Sequence, residues 1–325
     1  MKALVPAAGI GTRLRPHTLN KPKALLPVAG KPILAHIIDD LRAAGIAEFV
    51  VVVGFEGAAV RDWMAEAYRG LPVTFVDQPE RLGLGHAVWT ARAAVGDAPF
   101  FCILGDTILK ADYGALLGAR SNCVAVCAVP DPRRFGVVEL AGQRVVRFVE
   151  KPRHPPSDLA LVGAYLFRDA PVLWAALDRV VAEGIRTRGE FQLTDALQVM
   201  VEGGTPFTTA RVDGWYDCGK PETWLETNRV LLSRLGGPAP AGGQAPCAVP
   251  PETKLVRSRL GPYVSVGPGA VIEDCDLADC IIGAGARLSG CRLRNSLIGD
   301  HSVIANARGS LNVGDYCEFQ GDQRE

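Results

Sequence analysis

Four short segments near the end of the chain, "VGPGA" at Val266, "IGAGA" at Ile282, "IGDHS" at Ile298 and "VGDYC" at Val313, place an aliphatic residue and then glycine at intervals of 16, 16 and 15 residues. Ile272, Leu277, Leu288, Leu293 and Ile304 fall between them at five- and six-residue steps. Few folds repeat this way. A left-handed parallel β-helix does, with each aliphatic side chain pointing inward and each small residue turning a corner. A β-sandwich would not keep glycine in register with one aliphatic position.

The first part of the chain follows a different rule. Short apolar runs ("KALVPA", "FVVVVG", "VTFVDQ", "FFCILGD") alternate with helical patterns from Pro32 to about Ala44, near Ala58 to Tyr68 and near Gly85 to Val95. Such alternation implies an α/β domain with a Rossmann-like, mixed but mainly parallel sheet. After Asp106 further strands, two helical stretches and a return strand "FTTARV" extend it, and a helix over 221–235 closes it. The expected organisation is a catalytic domain over 1–235, a Gly/Pro-rich linker over 236–254 and the β-helix over 255–325.

Lys plus Arg and Asp plus Glu each number 35, so no broad charged surface points to nucleic acid. No apolar run reaches the roughly 18 residues that span a bilayer, and no signal-peptide pattern opens the chain; the expectation is no membrane partner and a cytoplasmic location. The nine cysteines show no C-x-x-C spacing and read as reduced core residues, Cys275, Cys280 and Cys291 included.

The chemistry-bearing stretch is "AAGIGTRLRPHTLNKPK" over 7–23. A glycine-rich turn after the first strand of a parallel sheet sits where such sheets bind ligands, and its amides can approach phosphate oxygens. "GIGTRL" lacks the third glycine of the dinucleotide fingerprint, Pro16 interrupts the helix that would receive a pyrophosphate, and no Lys-Ser or Lys-Thr completes a Walker loop. What remains is a long irregular loop carrying Arg13 and Lys23 toward one end of the sheet, an arrangement suited to a triphosphate. Lys21 and Lys31 read as surface lysines.

"GIGTRLRPHTLNKPKALLPVAGKPIL", followed in order by "GLGHAV", "ILGDT", "RFGVVE", "VEKP", "VGAYLF", "RGEFQLTD" and "WYDCGKPETWLETNR", resembles the sugar-1-phosphate nucleotidylyltransferases across residues 1 to about 235. The tail resembles that of the long form of glucose-1-phosphate thymidylyltransferase. Ala8 departs from the glycine of many members, and alanine there resembles the uridylyltransferase-like branch. The resemblance implies transfer of a nucleotide from dTTP or UTP to a hexose-1-phosphate, with glucose-1-phosphate favoured; mannose-1-phosphate guanylyltransferase is the alternative. A hexapeptide-repeat acyltransferase using His301 and a non-catalytic regulatory homologue are further alternatives.

The resemblance also implies roles. Asp106 and Asp217 would bind Mg²⁺, Lys23 would contact the α-phosphate, and Arg13 the β- and γ-phosphates. Ala8, Gly9, Gly11 and Thr12 would line the phosphates, while Gln78 and Gly83 would read the base. Glu150 and Lys151 would hold the sugar and its phosphate, beside Gly136 and Val162, with Arg188 as a second phosphate clamp. The tail is expected to serve homo-oligomer assembly rather than chemistry, so that truncation near Ala241 spares activity.

Overall fold

The computed structural model describes residues 1–236, 239–240 and 243–322. The chain forms two compact units, one of residues 1–10 and 37–215, the other of 11–36 and 216–325.

The first unit is built on a nine-stranded sheet. Its strands are β1 (Lys2–Pro6), β2 (Glu48–Val53), β3 (Val73–Asp77), β4 (Phe100–Ile103), β5 (Asn122–Ala128), β6 (Gly136–Ala141), β7 (Arg144–Glu150), β8 (Leu159–Phe167) and β9 (Phe207–Arg211). They lie in the order β7-β6-β8-β4-β1-β2-β3, with β5 also on β8 and β9 on β5. β1 pairs in parallel with β2 and β4, β2 with β3, and β9 with β5. The pairs made by β8 are antiparallel. The mixed, mainly parallel sheet is therefore the one that the alternating pattern implies. β1, β2 and β4 are almost continuously apolar because helices cover both faces of such strands. Trp174 stacks on Phe100 with centroids 5.4 Å apart, joined in one core by Val88, Leu177 and Leu197. The expected helices appear as α1 (Ile33–Ala43), α2 (Gly57–Ala67) and α3 (Leu84–Thr90). They are followed by α4 (Ala170–Ala182), α5 (Leu193–Glu202) and α6 (Pro221–Leu235).

The second unit contains a parallel β-helix. Ile272, Leu288 and Ile304 pair in register on one face, Leu277 with Leu293 on a second, and Ile282, Ile298 and Val313 on a third. These side chains fill the interior, where Ile272, Leu277 and Leu288 are no more than 1% exposed. Corners fall at residues with positive φ: Asp274, Gly290 and Asn306 on one edge, Asp279 and Asn295 on the next, and Gly285, His301 and Tyr316 on the third. Asn, Asp and Gly tolerate that left-handed conformation best. His301 and Tyr316 occupy it while stacking at 5.1 Å, which gives His301 a structural place at a coil corner.

The unit boundaries differ from the expected ones. Residues 11–36 and α6 group with the tail because their polar groups are satisfied there. Trp224 Nε1 donates to Pro27 O at 2.7 Å, and Asn228 Oδ1 accepts from Ala29 N at 2.8 Å and from Ser265 Oγ at 2.6 Å. The expected linker is also shorter than its composition suggested. Gly237, Pro238, Ala241 and Gly242 lie outside the described residues, but Cys247–Ala248 pairs in parallel with Val264–Ser265, so the solenoid begins inside the Gly/Pro-rich stretch. Among the described residues none of the nine cysteines forms a disulfide. Among the described residues no helix is long and apolar enough to cross a membrane.

Removing a stacked aliphatic side chain should leave a void that the coils above and below, fixed by their strand pairing, cannot close. Leu288→Ala should therefore cost about 2–5 kcal/mol in chemical unfolding. A loss below about 0.5 kcal/mol, the range of surface changes, would mean that the interior is not packed as described.

Candidate active site

The nucleotide-side candidates of the second unit begin at Gly11. Its φ of 68° turns the chain into a 3₁₀ turn over Thr12–Leu14. A Cβ at Gly11 would approach Lys23 Cβ and Thr18 Cγ2 to 3.2 Å, and Thr18 Oγ1 donates to Gly11 O at 2.8 Å. Gly11 therefore presses against the stem of Lys23. Thr12 and Arg13 are exposed, whereas Lys23 is only 7% exposed. The Lys23 ammonium lies 3.8 Å from Asp217 Oδ1. Keeping an ammonium so far from water is costly, and Lys23 with Asp217 is the most conspicuous charge arrangement of this unit.

Three residues of the same loop that the sequence left as surface or unassigned are anchored. His17 is 3% exposed. It packs edge-on against Trp224 at 5.2 Å and donates through Nε2 to Asn312 Oδ1 at 2.7 Å. Lys21 forms an ion pair with Asp300 and lies 3.9 Å from Asp315. Pro16 touches Gly314, where a Cβ would come within 2.8 Å of the proline ring. The tail thus bonds directly to the signature loop. A linear sequence hides this because the partners lie almost 300 positions away.

In the first unit, Ala8 and Gly9 follow β1. Ala7 N donates to Val52 O at 2.8 Å, and a Cβ at Gly105 would meet Ala7 Cβ at 2.8 Å. The chain after β1 and the turn after β4 therefore run side by side, and that second turn carries Asp106. Asp106 is half-buried and accepts a bond from Thr107 Oγ1 at 3.3 Å.

Gln78 is buried. Its Nε2 donates to Gly83 O and to His86 Nδ1, both at 3.1 Å, which fixes the amide and leaves Oε1 as its acceptor. His86, unassigned from sequence, completes this cluster, and its burial lowers its pKa. Gly83 has φ 109°, and a Cβ there would reach Phe191 O at 2.5 Å, so only glycine fits.

Phe191 leads into α5, which gathers the sugar-side candidates. Thr194 Oγ1 donates to Glu150 Oε2 at 2.8 Å, and Lys151 pairs with Glu150 at 2.8 Å. A Cβ at Gly136 would come within 3.1 Å of both Glu150 Oε2 and Thr194 Oγ1. Arg188 is exposed, with Nη2 3.1 Å from Lys151 O. Val162 is buried at an irregularity of β8 between Leu161 and Tyr165, so backbone is what it can offer. Asp195, which sequence reading passed over, has a pKa raised by burial and one oxygen, Oδ2, without a hydrogen-bond partner. The short polar pair in "LTD" was the available signal for Thr194 and Asp195. Gln78, Gly83, Gly136, Glu150, Lys151 and Arg188 are thereby linked through residues 187–195.

Burial outweighs the Asn312 bond and the charges of Asp315 and Asp300, so the His17 pKa lies below its ordinary 6.5. Unfolded chain therefore binds more protons than folded chain as pH falls through 6.5, and stability declines in that window. Between pH 7.5 and 5.5 the melting temperature of the wild type should fall further than that of His17→Gln, which cannot titrate. Equal declines would place His17 in a solvated setting.

Comparison with known proteins places the chain in a family. The nucleotidyl transferase family model matches residues 2–234. A glucose-1-phosphate thymidylyltransferase of Streptomyces griseus is 34% identical, covering 98% of this chain and 99% of its own length. The UTP–glucose-1-phosphate uridylyltransferase AglF of Haloferax volcanii is 36% identical over 71% of this chain and 96% of its own. A crystal structure of UDP-glucose pyrophosphorylase with UDP-glucose superposes with a TM-score of 0.62 at 26% identity, covering 72% of this chain and 98% of that one. With a family model spanning most of its length and a relative matched from end to end, the chain belongs to the nucleotidyl transferase family.

Proposed function

We propose that the protein condenses a nucleoside triphosphate, dTTP or UTP, with a hexose-1-phosphate, glucose-1-phosphate first among them, to give a nucleoside diphosphate sugar and pyrophosphate. The observation that carries this reading is the buried Lys23 ammonium, held 3.8 Å from Asp217 behind a glycine turn at Gly11. The names of the Streptomyces griseus and Haloferax volcanii relatives support the substrate class.

In this reading a sugar-phosphate oxygen attacks the α-phosphorus in line. One P–O bond forms, the bond to the β-phosphate bridge breaks, and pyrophosphate leaves. The attacking phosphate is already anionic, so no general base is needed, and positioning with charge stabilisation supplies the rate. Lys23 faces the α-phosphate and Arg13 the β- and γ-phosphates, with amides of Ala8, Gly9, Gly11 and Thr12 alongside. Gln78 offers Oε1 to a base N–H, with its other end tied to Gly83 and His86. Glu150 accepts sugar hydroxyls, Gly136 and Val162 offer backbone groups beside the ring, and Lys151 and Arg188 hold the sugar phosphate.

Asp106 and Asp217 would hold Mg²⁺. Among the described residues no three His, Cys, Asp or Glu side chains gather as a metal cage. Two carboxylates suit Mg²⁺, which commonly uses one or two protein oxygens and completes its shell with water and substrate phosphates. When bound, the ion neutralises phosphate charge.

The catalytic domain over 1–235 accords with the family match over 2–234. A cytoplasmic location suits the supply of nucleoside triphosphates. Homo-oligomer assembly remains part of the proposal, supported by Val303, Tyr316 and Phe319, which are 43%, 72% and 42% exposed on neighbouring coils. Light scattering would read the assembly directly, and a monomeric mass would end it.

The activity is tested by pyrophosphate release from five nucleoside triphosphates against several sugar-1-phosphates. Silence across the panel, from folded protein with Mg²⁺, would sink the reading. Asp106→Asn should lower turnover by roughly 100-fold or more, with a melting temperature near the wild-type value because it removes charge and little volume. Unimpaired turnover would reduce Asp106 to a turn aspartate.

A further inference from the structure

The third position of the repeated pentapeptide carries Pro268, Ala284, Asp300 and Asp315 in successive coils. The two aspartates each spend one oxygen inside the solenoid: Asp300 Oδ1 accepts from Ala284 N at 2.9 Å, and Asp315 Oδ1 accepts from Asp300 N at 2.8 Å. A turn-capping role needs no more than that. Their second oxygens do something else. Asp300 Oδ2 pairs with Lys21 Nζ, and Asp315 Oδ2 lies 3.9 Å from the same atom. The three side chains are 22%, 23% and 14% exposed for Lys21, Asp300 and Asp315, so the pair is better shielded than a surface ion pair. Next to it stand the His17–Asn312 hydrogen bond and the Pro16–Gly314 contact. The fastened residues, 16, 17 and 21, lie between Arg13 and Lys23.

We infer that the coils carrying Asp300, Asn312 and Asp315 position the phosphate-holding loop, with Lys21 and His17 as the fastening points. Lys21, His17 and their partners are positioning residues: they fix the backbone from which Arg13 and Lys23 project. Catalysis by charge stabilisation depends on such fixing, because a cation that must be ordered at each turnover contributes less. The inference rests on the reading of Arg13 and Lys23 as phosphate-binding cations.

The test exploits the division of labour within each carboxylate. In Asp300→Asn/Asp315→Asn the amide oxygens can still cap the coil corners, while Lys21 loses both countercharges. Asp274→Asn is the control, since Asp274 is a coil-corner aspartate whose ion pair, with the exposed Arg257 at 2.7 Å, lies away from the loop. The double variant should lose roughly tenfold in kcat/KM for the nucleoside triphosphate, with KM for the sugar phosphate unchanged, because the sugar-side residues belong to the other unit. Asp274→Asn should match the wild type in both. Adding Lys21→Met to the double variant should cause no further loss, since all three changes break one interaction.

Amide exchange of the peptide over 11–25 supplies a readout independent of turnover, and protection should fall in the double variant and not in Asp274→Asn. Wild-type kinetics in the folded double variant, an additive effect of Lys21→Met, or unchanged exchange would each overturn the inference. If the wild type turns over no substrate pair, the activity reading fails by itself, and the exchange measurement still decides whether the coils hold the loop.

Discussion

One buried amide organises the second unit. Asn228, 1% exposed, accepts from Ala29 N and Ser265 Oγ and donates to Tyr263 O. It thereby satisfies a backbone group of the signature loop and two groups of the first coils with a single side chain. An unmet buried polar group costs about 1–3 kcal/mol, so loop, helix α6 and solenoid have little freedom to choose other partners. Arg229 on the same helix adds its ion pair to Asp279 at 2.8 Å. Any displacement of α6 would break several such bonds at once, and the loop that carries Arg13 and Lys23 inherits that rigidity.

The first unit reaches comparable order by steric means. Close approaches at Gly54 to Ala8 and Gly105 to Ala7 bring the turns after β1, β2 and β4 together at the carboxyl ends of parallel strands, the usual position of ligand sites in such sheets. Gly83, pressed against Phe191, and Gly136, pressed against Glu150 and Thr194, continue the pattern. Small residues here let polar backbone and carboxylate groups stand where a side chain would otherwise intrude.

Much of this was legible in the sequence. The period-16 glycine pattern specified a parallel coil, because only stacked turns keep one aliphatic position inside; the apolar strands alternating with helices specified the sheet. The family was readable because its motifs are local. What escaped was non-local. Lys21 reads as one more surface lysine until Asp300 is placed beside it, and His17 is a lone histidine until Asn312 and Trp224 enclose it. Gln78 likewise gives no sign in the chain that His86 and Gly83 will bury it. The Gly/Pro-rich stretch concealed the strand at Cys247, since composition registers average flexibility and not the one buried side chain that closes a coil.

The second unit is assembled from two stretches separated by 179 intervening residues, 37–215. Its fastenings are among the least local in the chain: His17 meets Asn312 across 295 positions and Lys21 meets Asp300 across 279. Contacts of such separation carry a large loop-closure entropy and form late in folding. During synthesis from the N-terminus, the first sheet strands can pair while residues 11–36 still lack the coils that hold them. The segment translated among the earliest is then among the last to reach its final conformation, because residues 17 and 21 wait for partners at 312 and 300.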